Sequence, residues 1–147
     1  MIVSGIVAEY NPFHRGHAYQ LEQTKSAGAT HIVAVMSGNF VQRGEPAIAF
    51  KHARVKAALD SGVDLVIELP VPWACAAAMT FARGAVSLLN ALGIVDILSF
   101  GSESGDLKTL QNTALALASD KLNNGAIGGQ IETGMTFAAA RESAVRG

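Results

Sequence analysis

The sequence contains little cysteine and little charge. Cys75 is the one cysteine in 147 residues, which excludes an internal disulfide and a cysteine-rich zinc site. Charged residues make up 16% of the chain and the formal net charge is -1, so the chain lacks the overall basic field that many small nucleic-acid-binding domains carry. No uninterrupted apolar run approaches the roughly 18 residues of a membrane span. Internal repeats, low-complexity tracts and Pro- or Ser-rich linkers are missing from the sequence too.

Apolar residues are what the sequence has in quantity. They make up 50% of the chain, enough for a hydrophobic core, which argues against intrinsic disorder. The length suits a single domain over residues 1–147. The sequence does not open with a charged leader followed by an apolar segment and a cleavage site. We therefore expect a soluble protein of the cytoplasm without a membrane partner.

Four apolar strands alternate with helices along the chain. Strands that are apolar throughout, instead of alternating with polar residues, are typical of parallel sheets covered by helices on both faces. The sequence therefore predicts an α/β fold with a Rossmann-like, doubly wound parallel sheet. The strands are predicted over 2–8, 31–36, 64–69 and 95–100, and the helices over 16–27, 47–61, 76–92 and 104–119. A glycine-rich loop over 123–135 and a last helix over 136–146 complete the prediction.

Ligands of doubly wound sheets bind beyond the carboxyl ends of the strands. The stretch that follows the first strand is EYNPFHRGH, residues 9–17. Pro12 ends the strand, Gly16 allows a ligand to approach the backbone, and a helix N-terminus favours phosphate. His14 and His17 add side-chain donors, so the stretch predicts a polyanion site. Two alternatives are a capping or surface histidine, and half of a metal site for which no third ligand is evident.

The stretch after the second strand has two interpretations. Residues 37–46 form either an ordinary solvated loop or a loop folded over other residues. On the following helix, Ile48 and Leu59 are predicted to lie near the apolar face. Lys51 and Arg54 are three residues apart and share a face, so they either meet phosphate or lie in solvent.

The stretches after the third and fourth strands also leave alternatives open. Glu68 is either a structural hydrogen-bond acceptor or a substrate contact, and Trp73 either lines a pocket or covers the core. Gly101 permits close approach to a ribose or a base. Ser102 or Ser104 is predicted to cap the helix that follows.

Several of these motifs resemble a known group of enzymes. The His14-x-Gly16-His17 motif after the first strand looks like the signature of the nucleotidyltransferase superfamily, which is related to the class I aminoacyl-tRNA synthetases. The blocks GIVAEYNPFHRGH, MSGNFVQRGEPA, ELPVPWA and SFGSESG together resemble the tRNA(Met) cytidine acetate ligase family. They occur in that order over residues 5–105.

The resemblance implies a function as well as a fold. Members of that family use ATP to activate acetate as acetyl-adenylate, and then acetylate N4 of the wobble cytidine of elongator tRNA(Met). Mg²⁺ is expected with the ATP. The resemblance places His14 and His17 at the phosphates as catalytic residues and Gly101 near the nucleoside. The ATP-binding residues that it implies are Val7, Ala8, Glu9, Tyr10, Asn11, Pro12, Phe13, His14, Arg15, Gly16, His17, Ala18, Tyr19, Gln20 and Gly101.

The chain departs from the family in its length. Family members are much longer and carry a second phosphate-contacting motif of Ser/Thr-x-x-Arg type. Ser143-Ala144-Val145-Arg146 has that outline, but we assign it to the helical segment before the true motif. The sequence is therefore expected to be a truncated, nucleotide-binding part of such a ligase. Two other functions stay open: a small-molecule adenylyltransferase, and a non-catalytic nucleotide- or RNA-binding module.

Overall fold

The structure is a computed structural model that describes residues 1–103 and 105–118. The chain divides into two compact units, Met1–Gly101 and Ser102–Gly147. The first unit contains strands β1 (Val3–Ala8), β2 (His31–Ser37), β3 (Leu65–Leu69) and β4 (Ile97–Ser99), and helices α1 (Arg15–Ser26), α2 (Lys51–Asp60), α3 (Val71–Ala74) and α4 (Ala78–Ala91). The second unit contributes α5 (Leu107–Ala118). The prediction of one domain over 1–147 stays a prediction.

The four strands form one parallel sheet in the order β3-β2-β1-β4. From β1 the chain adds β2 and β3 on one side, and then returns to add β4 on the other. The order of the strands therefore reverses between β1 and β4, which makes the carboxyl end of β1 the switch point where such sheets bind ligands.

Both faces of the sheet are covered by helices, as predicted. One core cluster joins Ile6 and Ile32 of the sheet to Leu21 of α1 and Ala58 of α2. On the opposite face, β-branched strand residues pack with Ala74 of α3 and with Ala85 and Leu89 of α4; they are Val3, Val33 and Val35. The doubly wound α/β prediction is thus confirmed.

The central and the outer strands differ in burial. Strands β1 and β2 are almost entirely buried, whereas the outer strands β3 and β4 are partly exposed. An aspartate directly precedes each outer strand. Asp64 Oδ2 accepts a hydrogen bond from Ile32 N and Asp96 Oδ2 accepts one from Val3 N, both at 2.7 Å. These bonds satisfy backbone N–H groups at the start of the two central strands.

Three predicted features of the helices were wrong. Helix α2 begins at Lys51, so Ile48 precedes it and is 77% exposed. Helix α3 lies outside the predicted helices, although Pro72 is in its first turn, a position that accepts proline. Helix α5 begins at Leu107, so the predicted cap Ser102 does not directly precede it, and Ser104 lies outside the described residues. Instead, Asp106 Oδ1 accepts hydrogen bonds from the backbone N–H groups of residues 108 and 109, at 3.0 and 3.1 Å.

The predictions for the end of the chain concern residues that the structure does not describe. They are the loop over 123–135, the helix over 136–146 and the Ser143–Arg146 motif.

Helices α3 and α4 pack closely at Gly84. A Cβ atom added at Gly84 would lie 2.6 Å from the ring of Trp73, well inside van der Waals contact. Trp73 therefore covers the core at α4, although it remains partly exposed. This packing helps to fix α4, which also carries Phe81, one turn before Gly84.

We predict that Gly84→Ala lowers the free energy of unfolding by up to about 2 kcal/mol. Overpacking costs about 1–3 kcal/mol, which exceeds the roughly 1 kcal/mol that alanine gains over glycine in a helix. Urea unfolding measures the change. With Trp73→Ala as the background, the same substitution should stabilise the chain, and destabilisation in both backgrounds would contradict the packing argument.

Candidate functional site

A cleft of about 420 Å³ opens at the carboxyl end of β1. Its lining comes from the end of β1, the loop 9–13, the first turns of α1, and single residues of two other segments. The lining residues are Val7, Ala8, Glu9, Tyr10, Asn11, Pro12, His14, His17, Gln20, Gln42 and Phe81. The cleft therefore lies at the switch point of the sheet.

Two histidines cap the N-terminus of α1. His14 occupies the N-cap position with an extended backbone, and its Nδ1 accepts a hydrogen bond from Gly16 N at 3.1 Å. His17 Nδ1 accepts a hydrogen bond from His14 N at 3.2 Å. The pair thus forms a reciprocal capping box, a role that serine, threonine and glutamate fill more often.

The capping bonds determine the tautomer of both rings. An Nδ1 that accepts a hydrogen bond carries no proton, so each neutral imidazole carries its proton on Nε2. The rings stack with their centroids 3.8 Å apart and their planes 23° apart. Burial, together with the charge that His14 could carry, lowers the pKa of His17 below its ordinary value. The geometry therefore presents Nε2–H donors next to a helix N-terminus, an arrangement suited to an anion.

Aromatic packing holds His17 in place. Tyr10 meets the imidazole edge-on, with centroids 4.9 Å apart, and Phe13 packs against it at 5.4 Å. Tyr10 has a φ of 47°, which is uncommon for a bulky residue, and its side chain is 1% exposed. Burial raises the pKa of Tyr10 to about 12, so its phenol is neutral. Among the described residues, the buried Tyr10 hydroxyl has no hydrogen-bond partner.

A second wall of the cleft comes from Gln42, which belongs to the segment between β2 and α2, residues 38–50. We call this segment the crossover segment. Gln42 N donates to Glu9 Oε1 at 2.7 Å, and Ile48 N donates to Asn11 Oδ1 at 2.7 Å. Val41, within the crossover segment, is buried. The crossover segment is therefore bonded to the loop 9–13, as the folded-over alternative predicts, although most of its residues are exposed to solvent.

Nine of the fifteen residues predicted to bind ATP line this cleft: Val7, Ala8, Glu9, Tyr10, Asn11, Pro12, His14, His17 and Gln20. Of the others, Phe13 packs behind His17 and Gly16 donates to His14. The remaining α1 residues, Arg15, Ala18 and Tyr19, are exposed outside the lining, and so is Gly101 at the end of β4. Their predicted roles in ATP binding stay predictions.

Two lining residues were missed as site residues, for different reasons. Gln42 belongs to a block that the sequence marks as a polar loop, so its position was noted but its role was not. Phe81 is an apolar residue of α4, and nothing in the sequence separates it from a core residue.

The charged residues near the site have structural partners. Lys51 Nζ forms an ion pair with Glu68 Oε2 at 2.7 Å, so Glu68 acts as an acceptor within the chain. A Cβ atom at Gly38 would collide with the Glu68 carboxylate. Arg54 is buried against backbone carbonyl oxygens, and neither prediction for it, a phosphate contact or a solvated face, was right. Arg43 is exposed, with its backbone N donating to Cys75 O at 3.3 Å.

Two further findings apply to residues 1–103 and 105–118. No group of three His, Cys, Asp or Glu side chains is arranged there to hold a metal ion. No helix there has the length and apolar character needed to cross a membrane.

We predict that His17 makes stability fall as the pH falls. Its pKa is about 6.5 in the unfolded chain and lower in the folded one. Below about pH 6.5 the unfolded chain therefore binds more protons, and the free energy of unfolding decreases until the pH passes the folded pKa. Urea unfolding at several pH values between 7.5 and 5 (a range set around that pKa) measures the slope.

His17→Gln is the matched control, because glutamine keeps an acceptor for His14 N but does not titrate. In the variant, the free energy of unfolding should change less steeply with pH, although the other histidines are still present. Equal slopes in both proteins would contradict the assignment.

The comparisons with known proteins identify the family of this chain. The HIGH Nucleotidyl Transferase family matches residues 1–147. The tRNA(Met) cytidine acetate ligase of Acetivibrio thermocellus is 52% identical over 148 residues, which cover 99% of this chain and 36% of the relative. The ligase of the same name from Caldicellulosiruptor saccharolyticus is 57% identical over 119 residues, 80% of this chain and 30% of the relative.

A solved structure shows the same fold. The crystal structure of Thermotoga maritima TmcAL bound with alpha-thio ATP superposes with a TM-score of 0.91 at 45% identity, covering 99% of this chain and 36% of that one. The predicted resemblance to the tRNA(Met) cytidine acetate ligases is therefore confirmed, and this chain spans about a third of the length of the relatives it matches. The chain belongs to the HIGH Nucleotidyl Transferase family.

Proposed function

We propose that this chain is the ATP-binding part of a tRNA(Met) cytidine acetate ligase. The observation that carries the proposal is the pair of imidazoles whose Nδ1 atoms cap α1 and which line the cleft at the switch point. The similarity to ligases of that name and to a TmcAL structure bound with alpha-thio ATP supports it. ATP would lie in the cleft with its phosphates at the start of α1.

The site suits a triphosphate for two reasons. The N-terminus of α1 carries a partial positive charge from the helix dipole, which favours an anion. The Nε2–H groups of His14 and His17 would add two hydrogen-bond donors that remain available at neutral pH. Neutral donors are the less costly choice here, because two positive imidazoles stacked at 3.8 Å would repel each other.

The proposed reaction has two steps. A carboxylate oxygen of acetate attacks the α-phosphorus of ATP, the bond to the bridging oxygen breaks, and pyrophosphate leaves. Acetate is ionised at neutral pH, so this step needs alignment and charge stabilisation but no general base. The wobble cytidine N4 then attacks the acetyl carbon, AMP leaves, and N4 loses a proton. His14 and His17 would stabilise the charge that develops on pyrophosphate in the first step.

Magnesium fits this site as a companion of ATP. The lining oxygens of Glu9 and Asn11 already accept backbone N–H groups of the crossover segment. The described residues thus leave Mg²⁺ to phosphate oxygens and water, which is a common mode for this ion. When bound, it would neutralise part of the phosphate charge.

The steps that use acetate and tRNA belong to the whole ligase in this proposal. The chain spans about a third of the relatives, and its charge of -1 gives no general attraction for RNA. We therefore assign ATP binding to the chain, and acetyl transfer to a ligase that contains it. The proposal implies a cytoplasmic protein, because tRNA and ATP are both available there.

We predict that the chain binds ATP with Mg²⁺, and that His14→Ala and His17→Ala each weaken the affinity at least tenfold. Tenfold corresponds to about 1.4 kcal/mol, the size of a charge-assisted hydrogen bond. Calorimetric titration measures it. His52→Ala is the control because His52 is an exposed histidine of α2 outside the cleft lining.

Retained affinity in both cap variants, or an equal loss in His52→Ala, would contradict the placement of the phosphates. Circular dichroism should accompany each titration, so that fraying of α1 is not read as a lost ligand contact.

The acetyl-transfer part of the proposal can be tested in a chimera. The aligned 148-residue segment of the Acetivibrio thermocellus ligase would be replaced by this chain. We expect acetate-dependent exchange of pyrophosphate into ATP and formation of acetylcytidine in tRNA(Met), both lost with His17→Ala. Exchange that proceeds without acetate but responds to a phosphorylated metabolite would instead indicate a small-molecule adenylyltransferase. ATP binding without any exchange would indicate a non-catalytic module.

A further inference from the structure

Arg54 of α2 is a buried cation bonded to three separate carbonyl oxygens. Its side chain is 2% exposed. Nε donates to Ala49 O at 3.1 Å, Nη1 donates to Glu9 O at 2.5 Å, and Nη2 donates to Gly38 O. Within residues 1–103 and 105–118 it forms no ion pair. Burial lowers the pKa of Arg54, and the negative charges of Glu9 and Glu68 oppose that shift. The guanidinium itself donates to peptide carbonyl groups, which offset part of the cost of burying its charge.

The three carbonyl groups belong to the two walls of the cleft. Glu9 follows β1 and leads into the loop 9–13, which forms one wall. Gly38 lies at the start of the crossover segment and Ala49 near its end. One guanidinium group therefore ties both ends of the crossover segment to the start of the opposite wall.

Two further hydrogen bonds depend on the position of the loop 9–13 relative to the crossover segment. Glu9 Oε1 accepts from Gln42 N, and Asn11 Oδ1 accepts from Ile48 N. Each joins the loop 9–13 to the part of the crossover segment between the two ends that Arg54 holds. If the guanidinium is removed, Glu9 loses its backbone attachment, and the side chain that receives Gln42 N is no longer fixed.

We propose that Arg54 is a positioning residue for the nucleotide: it sets the separation of the loop 9–13 from the crossover segment. This inference rests on the proposed ATP site. Arg54 reaches the ligand only through the two walls, because it is absent from the cleft lining. Arginine is required over lysine because three donors must point to three separate oxygens, and an ammonium group has no planar fork.

Amide hydrogen exchange followed by NMR tests the proposal without any ligand. In Arg54→Lys, the Gln42 and Ile48 N–H groups should exchange at least tenfold faster, while Val35 in the central strand β2 changes less. Lys56→Met is the matched control, because it removes one positive charge from α2 but leaves the hydrogen bonds of Arg54 intact. Lys56 pairs with Asp60 on the surface. A general loss of stability would accelerate Val35 equally, and that result would overturn the proposal.

A measurement on the unsubstituted chain covers the case in which Arg54→Lys does not fold. The Arg54 Nε–H, Gln42 N–H and Ile48 N–H groups should lose protection together, with the same dependence on urea. If Gln42 and Ile48 exchange while the Arg54 Nε–H stays protected, the guanidinium does not hold the crossover segment, and the proposal is wrong.

The ATP titration completes the test. At a temperature where every variant is folded, Arg54→Lys should weaken ATP binding at least tenfold, whereas Lys56→Met should bind as the unsubstituted chain does. Val33→Ala, which truncates a buried side chain on the other face of the sheet, should lose stability but keep its affinity. Undiminished ATP affinity in Arg54→Lys would overturn the positioning role. Absence of ATP binding in the unsubstituted chain would instead refute the proposed function. The hydrogen-exchange data would still show whether Arg54 holds the crossover segment in place.

Discussion

Two hydrogen bonds between imidazole nitrogens and backbone N–H groups hold the site together. They join His14 Nδ1 to Gly16 N and His17 Nδ1 to His14 N. The same bonds begin α1, fix the tautomer of both rings and direct the Nε2–H groups away from the helix. The same two side chains therefore start the helix and present the N–H donors of the candidate site. The packing of Tyr10 and Phe13 against His17 supports both roles.

The sheet explains why this arrangement lies where it does. Strand β1 has neighbours on both sides, so its carboxyl end is surrounded by the ends of β2 and β4. The loop that leaves β1 must turn at once, and Tyr10 does so with a left-handed backbone buried in the core. Buried contacts hold that conformation, and the crossover segment encloses the loop from the side of β2.

The fold and the first turn of the site followed from the sequence because each has a local pattern. Uninterrupted apolar strands indicate helices on both faces, and glycine and histidine after a strand indicate a ligand site. Arg54 could not be predicted because its burial depends on three carbonyl groups from distant segments. A basic residue three positions from Lys51 looks like a solvated helix face until the tertiary structure is known. Phe81 is similar: only the packing of α4 shows that it lines the cleft as well as packing against the core.

The capping histidines satisfy backbone N–H groups at the start of α1 without adding a negative charge there. Aspartate at the position of His14 would cap the helix well and complement its dipole. It would also place a negative charge where a polyanion is proposed to bind. Selection for thermal stability alone would therefore drive this position toward residues that exclude the ligand. The imidazole is a compromise, in which some helix stability is given up to keep an N–H donor, instead of a negative charge, at the mouth of the cleft.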